Sequence, residues 1–311
     1  MLSLEETMSE NWFKSLAREL FRWYLRRFPL RDGKARFYRL GHQALAPEER
    51  FATVTLDRGF RMTLDLQDAE QLKIYFYGHY HERYEAKLIE TLLTPGEVFW
   101  DIGANIGYFS LVAATALKGR GQVVAFEPGQ AAFARLTDNV ALNAFGNLTT
   151  YPLAVAAAPG EARLYRAADI ADTGASLYSP GESQAAYEVC RTVSLDEFRR
   201  QESLPCPTLI KVDVEGAELA VLRGAPELIS RDHPLLLLEM EEKNLAAAGA
   251  SKGLIQEFLL PLGYRPAFLR KGRWYLTDDV YAAKGRNIFW FQPDGPGHRE
   301  KARRLPIHGA Y

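Results

Sequence analysis

Short apolar runs alternate with helical spacing along the last two thirds of the chain, which is the pattern of an α/β protein. Each run is rich in residues that favour strands and ends at a glycine, an acid or a turn, as expected for buried parallel strands. Strands are predicted at residues 98–100, 123–126, 148–155, 209–214, 235–238, 266–269 and 287–291. The pattern therefore predicts an open, mostly parallel sheet with helices on its faces.

Other patterns occupy the two ends of the chain. Residues 51–66 alternate between apolar and polar positions around a glycine turn, which predicts a β-hairpin, and residues 31–50 predict a linker. The end of the chain is rich in Gly, Pro and Arg, and we expect it to be loose. The predicted organisation is a helical arm with a hairpin over 1–70, a catalytic domain over 71–292 and a flexible tail over 293–311.

An amphipathic helix is predicted over residues 10–28, and Pro29 ends it. Four basic residues recur every fourth position and form a stripe, while aromatic and leucine side chains occupy the other faces. The basic residues are Lys14, Arg18, Arg22 and Arg26. We expect the aromatic face to pack on the chain or on a second subunit and the basic stripe to be exposed. The alternative is contact with a membrane surface.

Composition narrows the class of protein. The chain has 311 residues, 47% of them hydrophobic and 25% charged, which is typical of a soluble globular protein. The formal net charge of −1 provides no overall field for nucleic acid, so no nucleic-acid partner is expected. Cys190 and Cys206 have no metal-binding or redox spacing. Since neither a membrane span nor a signal peptide is evident, a cytoplasmic location is expected.

A glycine-rich turn follows the first predicted strand. Asp101 ends that strand, and Gly103, Asn105 and Gly107 lead into a helix whose amino terminus offers free N–H groups. A dinucleotide site would need glycine at position 105 and would place a pyrophosphate near the acid, so a dinucleotide-dependent oxidoreductase is disfavoured. An acid beside a glycine turn instead suits the ammonium and sulfonium groups of S-adenosylmethionine. Ala104 belongs to the same loop.

The carboxyl ends of parallel strands share one edge of the sheet, and ligands bind there. Glu127 ends the second strand, just before Pro128, and follows the glycine loop at about the 20-residue spacing at which an acid meets a ribose diol. Ala154 is expected near the end of the third strand. These positions complete the predicted cofactor site.

Residues for the chemistry are predicted at the carboxyl end of the fourth strand and on the turn that follows it. Asp213 and Glu215 are the first candidates for orienting or deprotonating a hydroxyl group, and Lys211 shares the face of Asp213 and could pair with it. Asp213 also faces the cofactor site. His79 and His81 are the second candidates.

Two alternatives remain open at this point. Asp213, Glu239 and Glu241 could supply oxygen ligands to Mg²⁺, although no metal is assigned in the main interpretation. The chain could also be a non-catalytic protein with the predicted α/β fold that assembles a complex through its basic N-terminal helix.

Taken together, five motifs resemble those of the FkbM methyltransferases. They are Asp101-Ile-Gly-Ala-Asn-Ile-Gly107, Phe126-Glu-Pro128, Asn139 with Asn143, Ser194-Leu-Asp196, and Ile210-Lys-Val-Asp-Val-Glu-Gly-Ala-Glu218. The resemblance spans roughly residues 75–291 and leaves residues 1–70 uncovered.

This resemblance implies the class I methyltransferase fold, a Rossmann-like sheet of seven strands in the order 3-2-1-4-5-7-6 with strand 7 antiparallel. It also implies S-adenosylmethionine as the methyl donor and methylation of a hydroxyl oxygen on a sugar or secondary metabolite. Asp101, Gly103, Asn105 and Gly107 would then lie on the cofactor loop and Glu127 at the ribose.

Overall fold

The computed structural model describes residues 4–28, 33–166, 175–178, 186–283, 285–305 and 307–308. The chain divides into two compact units, Met1–Arg83 and Tyr84–Tyr311. Among the described helices, none is long and apolar enough to cross a membrane.

The described residues of the N-terminal unit form three helices and a hairpin. Its elements are α1 (Leu4–Arg27), α2 (Lys34–Leu45), β1 (Phe51–Thr55), β2 (Arg61–Asp65) and α3 (Ala69–Tyr77). The two strands pair antiparallel, which confirms the predicted hairpin. Asp68 caps α3 by accepting hydrogen bonds from the backbone N–H groups of Glu70 and Gln71.

The linker predicted over residues 31–50 is wrong, because α2 occupies most of it. The segment is rich in charge but still amphipathic, and Tyr38 is buried on its inner side. Gly41 allows the close approach of α1: a Cβ at this position would come within 2.7 Å of the Phe21 ring.

The orientation of α1 is also opposite to the expectation. The arginines of its basic stripe point into the N-terminal unit, where Arg18 donates to the carbonyl of Leu45 at 2.8 Å and Arg26 to that of Tyr75 at 2.8 Å. Most of the aromatic face is exposed. From residue 12 to residue 28, the buried side chains are those of Phe21 and Leu25.

The C-terminal unit contains the predicted alternation of strands and helices. Its strands are β3 (Val98–Ile102), β4 (Gln122–Phe126), β5 (Leu148–Tyr151), β6 (Ala154–Val155), β7 (Gly160–Arg166), β8 (Ala175–Ser176), β9 (Tyr187–Val193), β10 (Leu209–Val212), β11 (Leu235–Glu239), β12 (Arg265–Arg270), β13 (Arg273–Leu276), β14 (Asn287–Phe291) and β15 (Ile307–His308). Its helices are α4 (Arg83–Leu92), α5 (Tyr108–Leu117), α6 (Gln130–Ala141), α7 (Leu195–Gln201), α8 (Glu218–Arg223), α9 (Glu242–Ala247), α10 (Lys252–Leu259) and α11 (Pro296–Ala302).

The main sheet has the order β5-β4-β3-β10-β11-β14-β12-β13-β15. In this order the first five strands, β5, β4, β3, β10 and β11, are parallel to one another. Strand β14 is antiparallel to both of its neighbours, β11 and β12. This mixed sheet with its helices confirms the predicted α/β fold. It is two strands longer than the seven-stranded sheet that the resemblance implies, because β13 and β15 extend one edge.

The third predicted strand, residues 148–155, is divided between two sheets. Its first part is β5, but Ala154 lies in β6, which pairs with β9 in a separate four-stranded sheet. Pro152 lies at the break and has no N–H to continue the ladder. Ala154 is therefore not at the end of the third strand of the main sheet, as had been expected.

The segment from residue 293 onward contains ordered elements where a loose tail is predicted. Within it, α11 buries Ala302, and β15 pairs with β13. His298 Nε2 lies 2.6 Å from the carbonyl oxygen of His233, and Lys301 donates to the carbonyl of Leu92 at 2.9 Å. These long-range contacts offset the low helix and strand propensity of a Gly- and Pro-rich sequence.

Candidate functional site

The candidate site lies where β3, β4, β10 and β11 end side by side. The parallel register pairs Asp101 with Lys211 across β3 and β10, so the two side chains lie on the same face of the sheet. The Asp213 N–H continues the ladder by donating to the carbonyl of Ile102 at 2.9 Å. Adjacent strands therefore bring together residues that are about a hundred positions apart in the sequence.

Asp101 lies inside β3 rather than at its end, and its side chain is fully buried. One carboxylate oxygen, Oδ2, accepts a hydrogen bond from the Ser110 hydroxyl at 2.6 Å. The other, Oδ1, has no hydrogen-bond partner among the residues that the structure describes. Burial raises the pKa of Asp101, while the charge of Lys211 opposes that effect. A buried acceptor of this kind suits a cationic hydrogen-bond donor.

Lys211 is the central cation of the site. It is 2% exposed, and its Nζ lies 2.7 Å from Asp213 Oδ2 and 4.6 Å from the centroid of the Phe109 ring. Burial alone would raise the pKa of Asp213, but the charge of Lys211 and a hydrogen bond with Glu239 lower it to about 2. Asp213 is therefore a charged member of an ion pair at neutral pH, as its spacing from Lys211 predicts.

Glu239, at the end of β11, is buried beside Asp213. Burial raises its pKa well above the ordinary value, and the hydrogen bond to the charged Asp213 acts in the same direction. The neutral carboxyl of Glu239 can therefore donate to Asp213. Arg286 Nε lies 3.2 Å from Glu239 Oε1 and brings a second cation to the site.

Glu215 lies on the turn after β10 and has a left-handed backbone, with φ of 50°. Burial, followed by the charge of Asp213, raises its pKa to about 7. The side-chain amide of Asn244 donates to its carboxylate. A left-handed conformation costs about 1 kcal/mol or more in a residue other than glycine, and such positions concentrate at functional sites.

Three carboxylates of this region could hold a metal ion. Oxygen atoms of Asp213, Glu215 and Glu239 all lie within 4.8 Å of one another. The sequence suggested Glu241 as the third ligand, but the structure groups Glu215 with the other two instead. Carboxylate oxygens are ligands that suit Mg²⁺. Lys211, through its ion pair with Asp213, already supplies a positive charge to this acidic cluster of Asp213, Glu215 and Glu239.

The glycine loop packs tightly against the turn after β10. Gly103 has φ of 83°, and a Cβ built on it would come within 1.8 Å of the Asp213 carbonyl oxygen. Gly107 has φ of 92°, and a Cβ there would meet Leu136 at 2.6 Å. Both positions therefore require glycine. Between them, Ala104 is buried and Asn105 has φ of 50°.

Glu127 follows β4 directly and is held by backbone donors. The N–H of Asn105 donates to its Oε2 at 2.8 Å, and the N–H of Gly129 donates to its Oε1 at 2.8 Å. Burial raises its pKa to about 7 despite these hydrogen bonds. Its two oxygens are fixed beside the glycine loop, with Pro128 next in the chain, and each retains acceptor capacity for a hydroxyl group. These features fit the adenosine part of S-adenosylmethionine.

His79 and His81 lie in the N-terminal unit. His79 Nδ1 is 2.9 Å from the carbonyl oxygen of Tyr80, and His81 Nδ1 is 3.2 Å from Glu70 Oε2. Their suggested role in the chemistry stays a prediction.

Four residues that contact the site were not identified from the sequence. They are Phe109, Ser110, Asn244 and Arg286. Ser110 had a usable signal, because it is a small hydroxyl residue within the largely apolar run that begins α5. Asn244 and Arg286 had none, since only the packing of α9 and of the segment before β14 brings them to the acidic cluster.

Comparison with known proteins identifies the family. The sequence profile of the Methyltransferase FkbM domain matches residues 101–266, which is more than half of the chain. The chain belongs to the FkbM methyltransferase family. The family predicted from the motifs is thereby confirmed, and the matched segment runs from β3 to β12.

Two curated relatives match part of this chain in sequence. The hexuronic acid methyltransferase AglP of Haloferax volcanii is 34% identical over 145 residues, which cover 46% of this chain and 56% of the relative. The AMB antimetabolite synthetase AmbE of Pseudomonas aeruginosa is 28% identical over 251 residues, 70% of this chain and 12% of the relative. The chain thus spans about half of the first relative and a small part of the second.

A solved FkbM methyltransferase from Methylobacillus flagellatus is 19% identical and has a TM-score of 0.42. The match covers 64% of this chain and 44% of the other.

Proposed function

We propose that this FkbM methyltransferase transfers a methyl group from S-adenosylmethionine to a hydroxyl oxygen of a small-molecule acceptor, a sugar or a secondary metabolite. The observation that carries the proposal is Glu215, a carboxyl group with a pKa of about 7 beside the ion pair of Asp213 and Lys211. The name of AglP, which specifies a hexuronic acid, supports a sugar as the acceptor.

The cofactor is assigned to the side of the site formed by β3 and β4. Asp101 Oδ1 would accept from the ammonium group, the Gly103–Gly107 loop would border the ligand, and Glu127 would accept from the ribose hydroxyls. When bound, S-adenosylmethionine supplies an electrophilic methyl carbon on a cationic sulfur. The protein then has to align an acceptor oxygen with that carbon and remove its proton.

Glu215 is the general base in this proposal. With the donor bound, Glu215 would accept the hydroxyl proton of the acceptor as the acceptor oxygen takes the methyl group, and S-adenosylhomocysteine would be released. A base is most effective when its pKa lies near the working pH, which favours Glu215 over Asp213 with its pKa of about 2. The ion pair of Asp213 with Lys211 instead holds the turn after β10 and sets the charge beside Glu215.

Calorimetry and product analysis test the proposal together. We expect S-adenosylmethionine and S-adenosylhomocysteine to bind the full chain, and Asp101→Ala to abolish that binding. With methyl-labelled donor, label should enter a hexuronic acid or a related polyol as a methyl ether, identified by NMR. Absence of cofactor binding by the wild-type chain would contradict the assignment and support a non-catalytic scaffold protein. Label found only on nitrogen or carbon would contradict O-methylation.

A Mg²⁺-assisted O-methyltransferase is the second candidate, favoured by the close approach of Asp213, Glu215 and Glu239. Turnover after exhaustive chelation distinguishes the two. Activity that survives the chelator supports Glu215 acting without a metal. Activity that is lost and then restored by added Mg²⁺ supports the second candidate.

A further inference from the structure

The outer side of α1 carries a continuous apolar surface. We call it the α1 apolar face, and its members are Trp12, Phe13, Leu16, Leu20 and Trp23. Their spacing of three and four residues places them on one side of the helix. Each is between 45% and 62% exposed, although large apolar side chains are usually buried. Large apolar side chains exposed together on one side of a helix are typical of a binding site.

The arginine contacts of α1 prevent this face from turning inward. Arg22 donates to the carbonyl of Tyr75 at 3.3 Å, and its guanidinium lies 4.3 Å from the centroid of the Tyr75 ring. Arg26 donates to the same carbonyl and, at 3.3 Å, to that of Phe76. Arg18 anchors the preceding turn on Leu45. The inward side of α1 is thus occupied, and the apolar face is held outward.

Helix α2 extends the surface and adds positive charge. Phe37 packs against Tyr24 of α1, with ring centroids 4.7 Å apart, and Leu40 is 77% exposed. Arg36 and Arg39, next to Leu40 on α2, are exposed. On α1, Arg27 lies one turn beyond Trp23 and is also exposed. One acid at the edge of the face, Glu19, is paired with Arg22 at 2.7 Å.

We propose that the α1 apolar face, with the cations around it, binds the surface of an anionic lipid bilayer. Tryptophan, phenylalanine and leucine enter the boundary between headgroups and acyl chains, and nearby Lys and Arg residues pair with anionic headgroups. A second copy of the chain fits less well. A two-fold contact through this face would use the same patch of both copies and would therefore place two sets of the cations Arg27, Arg36 and Arg39 in or around one interface.

Tryptophan fluorescence of the full chain provides a selective test. Of the five tryptophans, Trp100, Trp274 and Trp290 are buried in the C-terminal unit, so changes on adding vesicles report Trp12 and Trp23. We expect vesicles that contain phosphatidylglycerol to shift the emission to shorter wavelength, and brominated acyl chains to quench it. Vesicles of phosphatidylcholine alone should bind more weakly, and high salt should weaken binding to the anionic vesicles.

Matched variants locate the binding surface. Leu16→Ser/Leu20→Ser keeps both reporting tryptophans and should reduce partitioning into anionic vesicles by about tenfold or more. Arg36→Glu/Arg39→Glu should reduce it as well. Val189→Ser, at a side chain that is 58% exposed on β9, is the control and should bind like the wild type. Circular dichroism melting checks that each variant is folded.

Three results would overturn the proposal. They are no binding to anionic vesicles at low salt, equal binding to neutral and anionic vesicles, and unchanged binding by the folded Leu16→Ser/Leu20→Ser variant. A dimer in light scattering that this variant dissociates, in a chain that does not bind vesicles, would assign the face to a second copy.

Discussion

Gly103 lies directly against the backbone carbonyl of Asp213, and a Cβ at Gly103 would come within 1.8 Å of that oxygen. The contact joins the glycine loop after β3 to the turn after β10. The loop assigned to the cofactor and the turn that carries the acidic cluster are therefore packed as one piece, and a change at Gly103 should alter both.

Gly103→Ala tests this contact. We expect the free energy of unfolding to fall by about 3 kcal/mol, because the new methyl group overlaps backbone that cannot move aside. Affinity for S-adenosylhomocysteine should fall at least about tenfold, as judged by calorimetry. The control is Gly119→Ala, where φ is 73° but no atom lies within 4 Å of the added Cβ. It should cost only about 1 kcal/mol, for backbone strain. Equal effects of the two substitutions would contradict the packing argument.

Glu215→Gln should lower kcat by about 10²–10⁴-fold while cofactor affinity is kept, because the amide cannot accept the hydroxyl proton. In the wild type, kcat should rise with pH through about 7, since Glu215 acts only when deprotonated and burial raises its pKa to about 7. That rise should be absent from the residual activity of the variant. Glu242→Gln, at an exposed residue of α9, is the matched control. A full rate in Glu215→Gln would exclude the base.

Lys211→Met should destabilise the protein by about 3 kcal/mol, because it leaves Asp213 charged without its cation. The pKa of Asp213 should rise, and turnover should fall. Urea unfolding and NMR titration of the carboxyl groups measure the two effects. Lys87→Met is the control, because that lysine is 71% exposed and its pair with Glu90 is on the surface. Similar stability losses in both variants would mean that the buried pair has no special role.

Glu218 should make stability depend on pH. It is 1% exposed, and burial raises its pKa from 4.5 to about 7. The folded state therefore holds its proton more tightly than the unfolded state does. The stabilisation of the folded state that Glu218 contributes is fully present below pH 4.5 and is lost as the pH rises through about 7.

Glu218→Gln removes this titration but can keep the acceptor for the N–H groups of Val214 and Gly216. At pH values above the folded pKa, the variant should be more stable than the wild type by up to about 3 kcal/mol. At pH values below 4.5 the two should be nearly equal. Thermal melts across this range measure the difference. A difference that does not change with pH would contradict the assigned pKa.

Local sequence patterns were sufficient for the parts of the fold that depend on neighbouring residues. The strand periodicity predicted β3, β4, β10, β11 and β14, and the turn chemistry predicted the hairpin of β1 and β2. Once parallel strands are placed, their ends must share one edge, so Asp101, Glu127 and Asp213 could be expected near one another. Their positions in the structure agree with that expectation, whereas their roles stay predictions.

Contacts between distant segments decided the rest. Helix α1 has an aromatic side and a basic side, and its own sequence favours burial of the aromatic one. Carbonyl oxygens of Leu45 and Tyr75, which no local pattern could reveal, accept from Arg18 and Arg26 and turn the helix the other way.

Contacts between distant segments also decided the composition of the acidic cluster of Asp213, Glu215 and Glu239. The sequence placed Asp213 at the end of one strand and Glu215 on the turn after it, but only packing could choose between Glu239 and Glu241 as neighbours or bring Arg286 to them. Spacing along a strand determines which face a side chain occupies, and it was enough to suggest the pair of Lys211 with Asp213. Burial and the charges of residues far away in sequence determine the pKa values, and for that reason only the tertiary structure distinguished Glu215 from Asp213 as the candidate base.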